Sequence, residues 1–144
     1  MKYRSVSRQV PWTAAQMFDL VVDIEHYPEF LPNWRNARIL RREGNVLFVS
    51  QEIDLGIRRL AFESRAVMDP PRHLRISSSA GPFRQLNIDW RFTPGAAGGC
   101  EVTLEVGLDM RSALLEAVSG RLMDLLTRDI LRRFRERAAR LNGG

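Results

Sequence analysis

The middle of the chain, residues 37–110, alternates between apolar and polar positions with a period of two. Phe62 to Met68, Leu86 to Phe92 and Val102 to Met110 each place apolar or small side chains at every second position. Such alternation is typical of strands that cover a core with one face and meet water with the other. Turn sequences rich in Gly, Pro and Asn separate the runs, at residues 42–45, 54–56, 69–72, 80–82 and 94–99. This part of the chain is therefore predicted to form an antiparallel meander of six strands.

The N-terminal part predicts one more strand and two short helices. Residues 2–10 have the pattern of a strand that ends at Pro11. Thr13 and Gln16 have the spacing of a capping box, in which each side chain bonds the other residue's backbone amide. A helix with an apolar face is therefore predicted to begin there. One further helical turn is predicted around 28–31, because proline is tolerated in the first turn of a helix.

The last segment, residues 112–141, is predicted to be one long helix over the sheet. It contains no Pro, and Leu115, Val118, Leu122, Leu126 and Ile130 fall on one stripe. About 30 residues of helix extend roughly 45 Å, enough to cross a sheet of this size. The prediction is a single α+β domain, residues 1–144. Its sheet of about seven curved antiparallel strands, with two short N-terminal helices, packs on the C-terminal helix over an apolar cavity.

Aromatic residues on a connection are the first candidate functional feature. Phe30, Leu31 and Trp34 lie between the first helix and the second strand, where loops are usually polar. They either plug a core or frame the mouth of a cavity for an apolar guest. Ser64 and Ser78 share the inward phase and could donate to a carbonyl, whereas the other inward residues could simply fill a core. The candidate ligand-binding residues are Phe30, Leu31, Trp34, Phe62, Ser64, Ile76, Trp90, Leu115, Val118 and Leu122.

Composition argues against several classes of site. Cys100 is the single cysteine, and His26 and His73 lie far apart, so neither a disulfide nor a metal site is predicted. No catalytic motif is present, so we expect no catalytic residues, no cofactor and no enzymatic activity. With neither a secretory signal nor a run of about 20 apolar residues, the chain is expected to be soluble and cytoplasmic.

Positive charge is concentrated at the C-terminus. The net charge is +5, and residues 121–144 hold seven arginines against three acidic residues. Arg121, Arg128, Arg132 and Arg135 are spaced to line one side of the predicted helix. They are either a solvated face, a surface attracted to anionic lipid, or a surface for ribosomal RNA.

Three stretches resemble the coenzyme Q-binding protein family: DIEHYPEFLP from Asp23, AGPFRQLNIDWRF from Ala80, and RFRERAARL from Arg133. These are START-like, helix-grip domains, also grouped with polyketide cyclase/dehydrase proteins. The resemblance implies a deep apolar cavity, ubiquinone or a related polyprenyl lipid as bound ligand, and support of respiratory electron transport. A bacterial branch is described as ribosome-association toxins. The sequence departs from the family pattern at Asn33 and Trp34, where the indole is displaced by one position.

The function expected from the sequence is that of a ubiquinone carrier or chaperone peripheral to the inner membrane. One alternative is an inhibitor of ribosome association that binds the large subunit. The other is a polyketide aromatase or cyclase, which would need an ionisable cavity.

Overall fold

The sheet contains seven antiparallel strands in the order β1-β7-β6-β5-β4-β3-β2. A computed structural model describes residues 1–143. The strands are β1 (Lys2–Val10), β2 (Trp34–Glu43), β3 (Val46–Asp54), β4 (Arg59–Asp69), β5 (His73–Ser78), β6 (Phe83–Pro94) and β7 (Cys100–Met110). From β2 to β7, each strand is joined to the next by a short turn. Strand β1 lies at the edge of the sheet and pairs with β7. The predicted meander and the predicted number of strands are confirmed.

Helix α1 (Ala14–Val22) begins at the predicted capping box. The Gln16 amide donates to Thr13 Oγ1 at 3.1 Å, and the Thr13 amide donates to Gln16 Oε1 at 2.9 Å. A 3-10 turn (Ile24–His26) and the single-turn helix α2 (Tyr27–Phe30) follow. The aromatic connection is thus an ordered element that lies against the core, with Tyr27, Leu31 and Trp34 all buried.

The C-terminal segment is a long helix, but it is interrupted twice. It consists of α3 (Ala113–Glu116), α4 (Ser119–Asp124), a π-helical turn (Leu125–Asp129) and α5 (Ile130–Asn142). A serine or threonine hydroxyl bonds a carbonyl of the preceding turn at each interruption, and such hydrogen bonds are known to bend helices. Ser119 Oγ donates to the Glu116 carbonyl at 2.7 Å, and Thr127 Oγ1 donates to the Met123 carbonyl at 2.6 Å.

The interruptions change which predicted stripe residues face the core. Val118, Leu122, Leu126 and Ile130 are buried as predicted, whereas Leu115 is only partly buried. The predicted long C-terminal helix is confirmed, with a break between Glu116 and Ser119 and a π-helical turn at Leu125–Asp129. The stripe residues that are fully buried lie at the first break or after it.

The core lies between the inner face of the sheet and this helix. The alternating residues of β4, β6 and β7 that were predicted to face inward are buried. Phe134 of α5 lies at the centre of an aromatic cluster. Its ring centroid is 5.3 Å from that of Tyr27, 5.1 Å from Phe30 and 5.2 Å from Trp90.

Candidate functional site

A small cavity lies between the sheet and the C-terminal helix. Its volume is about 20 Å³, which is room for roughly one water molecule. The sheet contributes residues from five strands, and the helix contributes Leu126 and Ile130. The lining consists of Ile24, Tyr27, Trp34, Gln51, Ile53, Phe62, Ser64, Ala66, Ile76, Ile88, Trp90, Leu126 and Ile130.

The aromatic connection forms one wall of this cavity. Tyr27 and Trp34 line it, and their ring centroids are 6.2 Å apart in an edge-on arrangement. The Tyr27 hydroxyl donates to the Val21 carbonyl. Burial raises the pKa of Tyr27 well above its ordinary value, so this hydroxyl stays a neutral donor. In this structure the connection closes the core.

Three polar side chains form a line inside the cavity. Trp34 Nε1 donates to Gln51 Oε1 at 2.8 Å, and Gln51 Nε2 donates to Ser64 Oγ at 3.4 Å. The second bond is long, and a glutamine amide carries two N–H donors. Gln51 and Ser64 are both buried. Donor capacity is therefore available to a carbonyl-bearing molecule that enters the cavity.

Five of the ten predicted ligand-binding residues line the cavity: Trp34, Phe62, Ser64, Ile76 and Trp90. The other five are not among its lining residues. Leu115 precedes the break in the helix, and Leu31 lines a separate surface pocket. Val118 and Leu122 are buried in the core one or two turns before Leu126, and Phe30 packs on Phe134.

Gln51 is the polar cavity residue that the sequence analysis did not identify. It lies in the alternation of Leu47, Val49, Gln51 and Ile53 along β3, all of which are buried. A polar residue in the inward phase of a strand is the signal that could have identified it. Leu126 and Ile130 were recognised as part of the helical stripe but not as cavity residues.

The predicted basic residues lie at a different surface. Arg128, Arg132 and Arg135 line a pocket of about 270 Å³, and Arg121 is not among its lining residues. Arg128 pairs with Asp124 at 3.5 Å, and Arg132 pairs with Glu136 at 3.8 Å. The helix thus presents the cavity residues and the arginines on different faces.

Within residues 1–143 there is no group of three or more His, Cys, Asp or Glu residues that could hold a metal ion. Burial raises the pKa of the Cys100 thiol, which keeps it protonated. No helix in that part of the chain is long and apolar enough to span a membrane.

Comparison with known proteins agrees with this architecture. Residues 10–135 match the family described as polyketide cyclase / dehydrase and lipid transport. The chain belongs to this family. Among its relatives is the ribosome association toxin RatA of Vibrio cholerae, 30% identical over 143 residues that cover 99% of each chain. Another is the mitochondrial coenzyme Q-binding protein COQ10 homolog B of Xenopus laevis, 24% identical over 96% of this chain and 59% of that protein.

Solved structures of other proteins share the fold. A START superfamily protein from Mycobacterium smegmatis superposes with a TM-score of 0.80 over 96% of this chain and 98% of its own, at 13% identity. The Zhui aromatase/cyclase of a Streptomyces species gives a TM-score of 0.79 over 99% of both chains, at 20% identity. The START-like helix-grip fold inferred from the sequence is therefore confirmed.

Proposed function

We propose that this protein binds a polyprenyl quinone, or a closely similar hydrophobic carbonyl compound, between the sheet and the C-terminal helix. The observation that carries the proposal is the buried polar pair of Gln51 and Ser64 in a cavity whose other lining residues are aliphatic or aromatic. Specific ligand sites typically combine an apolar lining with a few polar groups that orient the ligand. A quinone carbonyl would accept from Gln51 Nε2, and the isoprenoid tail would lie along Leu126 and Ile130.

The cavity has to enlarge before such a ligand is bound. Ligand sites usually occupy about 300–1,000 Å³, and the cavity here is about 20 Å³. The helix that covers it is interrupted at Val118, and Leu126 lies within its π-helical turn. These irregular points are where the helix could bend away from the sheet. We propose that binding moves the helix outward as a hinged element.

The lining favours binding over catalysis. Tyr27 is its only residue with an ionisable side chain, and the pKa of that phenol is raised by burial. General acid–base catalysis needs groups that exchange protons near the working pH. A carrier or chaperone role for the quinone is therefore the better supported proposal, and an aromatase or cyclase activity the less supported one.

The decisive experiment is to purify the protein from a ubiquinone-containing host, extract it with organic solvent, and identify the bound lipid by mass spectrometry. We expect a near-stoichiometric polyprenyl quinone in the wild type. Ser64→Ala and Gln51→Met should each lower the amount of quinone that co-purifies. Ser78→Ala is a matched control, because Ser78 is a buried serine outside the cavity lining. A folded wild-type protein without any lipid would contradict the proposal.

A second candidate function is association with the ribosome, in the cytoplasm. It is favoured by the basic pocket on the helix, whose chemistry suits RNA phosphates, and by the relative named as a ribosome association toxin. Co-sedimentation of the protein with the large ribosomal subunit at low salt is the test. Absence of the protein from the subunit fraction would remove this candidate and leave the quinone proposal untouched. Contact of the same arginines with an anionic membrane stays a prediction.

A further inference from the structure

Strand β1 brings a fourth arginine to the helix arginines. Arg8 lies with Arg128, Arg132 and Arg135 around the pocket of about 270 Å³, whose other lining residues are Val6 and Leu131. Arg8 is separated from the helix arginines by more than a hundred residues of sequence, so helical spacing alone cannot reveal it. We call these four side chains the arginine pocket.

The arginine pocket holds more positive charge than its surroundings neutralise. None of its lining residues is acidic. Arg128 and Arg132 have ion pairs on the helix, but both side chains are 60% or more exposed, and such exposed pairs contribute little. Arg8 and Arg135 have no carboxylate within 4.0 Å anywhere in residues 1–143. Several like charges around one concave surface attract anions strongly.

We propose that the arginine pocket binds the phosphate groups of an RNA backbone. The proposal rests on the second candidate function and deepens it, because it names the surface and the chemistry of contact. Guanidinium groups match phosphate geometry with two parallel hydrogen bonds. Arg128 and Arg135 are seven residues apart, which is about 10 Å along a helix axis. In double-stranded DNA each strand carries a phosphate for about every 3.4 Å of axis, so this length is on the scale of a few consecutive phosphates of a nucleic-acid strand.

RNA suits the arginine pocket better than a membrane does. A helix that lies on a bilayer inserts exposed apolar side chains beside its basic residues. Here Leu131 is buried and Val6 is packed against the core. The exposed large apolar residues, among them Ile57, Leu114 and Leu141, are not pocket residues. The pocket therefore offers charge and hydrogen-bond donors without an apolar anchor.

The test compares two double variants of the full chain that change the net charge equally. Arg8→Glu with Arg135→Glu reverses two arginines of the pocket. Arg38→Glu with Arg91→Glu is the matched control, because both residues are exposed and neither is in the pocket. Binding of a fluorescein-labelled single-stranded ribosomal RNA fragment is measured by anisotropy from 50 to 300 mM KCl. Vesicles of phosphatidylglycerol and phosphatidylcholine are tested in parallel.

We expect the pocket variant to bind the RNA at least tenfold more weakly at 100 mM KCl, and the control to stay within threefold of the wild type. Loss of two phosphate contacts should also reduce the slope of log K against log salt by about 1.4. Equal weakening of both variants would mean a non-specific effect of net charge and would overturn the proposal. Binding of the wild type to anionic vesicles but not to RNA would overturn it as well.

Ribosome co-sedimentation separates this proposal from the function on which it rests. Co-sedimentation of wild type and pocket variant alike would reject the arginine pocket and retain ribosome association. Absence of co-sedimentation in the wild type would reject ribosome association, and the anisotropy measurement would still decide the pocket. If the Glu variant fails to fold, Arg8→Gln with Arg135→Gln replaces it, with the same expected direction and a smaller effect.

Discussion

Trp34 donates its indole N–H to Gln51 Oε1 at 2.8 Å, and both residues are buried. This bond fixes the start of β2 to the middle of β3 on the inner face of the sheet. It also ties the aromatic connection to the residue that we propose as donor to a ligand.

The destabilising effects of removing the two partners of this bond should be less than additive. Gln51→Leu leaves the buried Trp34 N–H without an acceptor, which costs about 1–3 kcal/mol. Trp34→Phe removes the donor together with part of the indole. The free energy of unfolding of the two single variants and the double variant, measured in urea, gives the coupling. We expect the double variant to be more stable than the sum of the single effects predicts, and strict additivity would contradict the bond.

Gly81 in the turn between β5 and β6 should tolerate no side chain. Its φ is +61°, and a Cβ there would come within 2.5 Å of the Ala61 carbonyl oxygen. Gly44 has nearly the same φ, +60°, but a Cβ there would meet nothing within 4 Å. Gly44→Ala should cost about 1 kcal/mol for the left-handed backbone alone, and Gly81→Ala clearly more because the backbone also has to shift. Urea midpoints for the pair measure the clash, and equal losses would contradict it.

His26 should make the stability of the fold depend on pH in the range above about pH 6.5. The hydrogen bond to Asp23 and the nearby charges of Asp23 and Glu29 raise the pKa of His26 above its ordinary value of 6.5. A raised folded-state pKa means that this contribution is fully present below about pH 6.5 and is lost as pH rises through the folded value. His26→Gln should abolish that part of the pH dependence of Tm. An NMR titration of the imidazole that gives a pKa at or below 6.5 would contradict the prediction.

Arg137 should hold the aromatic connection against α5. Its guanidinium pairs with Glu29 at 3.3 Å and lies 5.0 Å from the Phe30 ring. Arg137→Met keeps the aliphatic packing but removes both contacts, so global stability should fall by only about 1 kcal/mol. Local opening of α2 should increase, and hydrogen exchange of the Leu31 amide, bonded to the Tyr27 carbonyl at 2.8 Å, reports it.

The matched control for that experiment is Arg140→Met, because Arg140 is an exposed arginine of the same helix and does not line the pocket that contains Leu31. Unchanged exchange at Leu31 in Arg137→Met would mean that packing alone holds the connection. If the connection is the entrance for the ligand, Arg137→Met should also load quinone faster than either the control or the wild type.

Local patterns predicted the helices and strands well, because the residues that determine these elements lie close together in the sequence. The period of two identified the inward residues of β4, β6 and β7, and the Thr13–Gln16 spacing identified the start of α1. The two helix interruptions were missed because each coincides with a hydrogen bond from a single hydroxyl, that of Ser119 or Thr127, to a carbonyl of the preceding turn. A hydrogen bond of this kind does not alter the apolar stripe from which the helix was predicted.

The site was predicted only in part, because it depends on contacts between distant segments. The inward phase identified Phe62, Ser64, Ile76 and Trp90, whereas Gln51 was passed over as a polar residue. The helical stripe could not tell which of its turns faces the cavity. Likewise, Arg8 joins the arginine pocket only through the pairing of β1 with β7, which brings β1 beside the π-helical turn.

The π-helical turn and the start of α5 serve two surfaces at once, since Leu126 and Ile130 touch the cavity while Arg128 and Arg132 form part of the arginine pocket. An occupant that displaces Leu126 would move both guanidinium groups with it. Thermodynamic linkage then makes the two binding events reciprocal: the factor by which quinone changes the Kd for RNA equals the factor by which RNA changes the Kd for quinone. The same stretch of helix would thus couple the proposed quinone site to the proposed RNA surface, and the ratio of RNA Kd values with and without a soluble quinone measures that coupling.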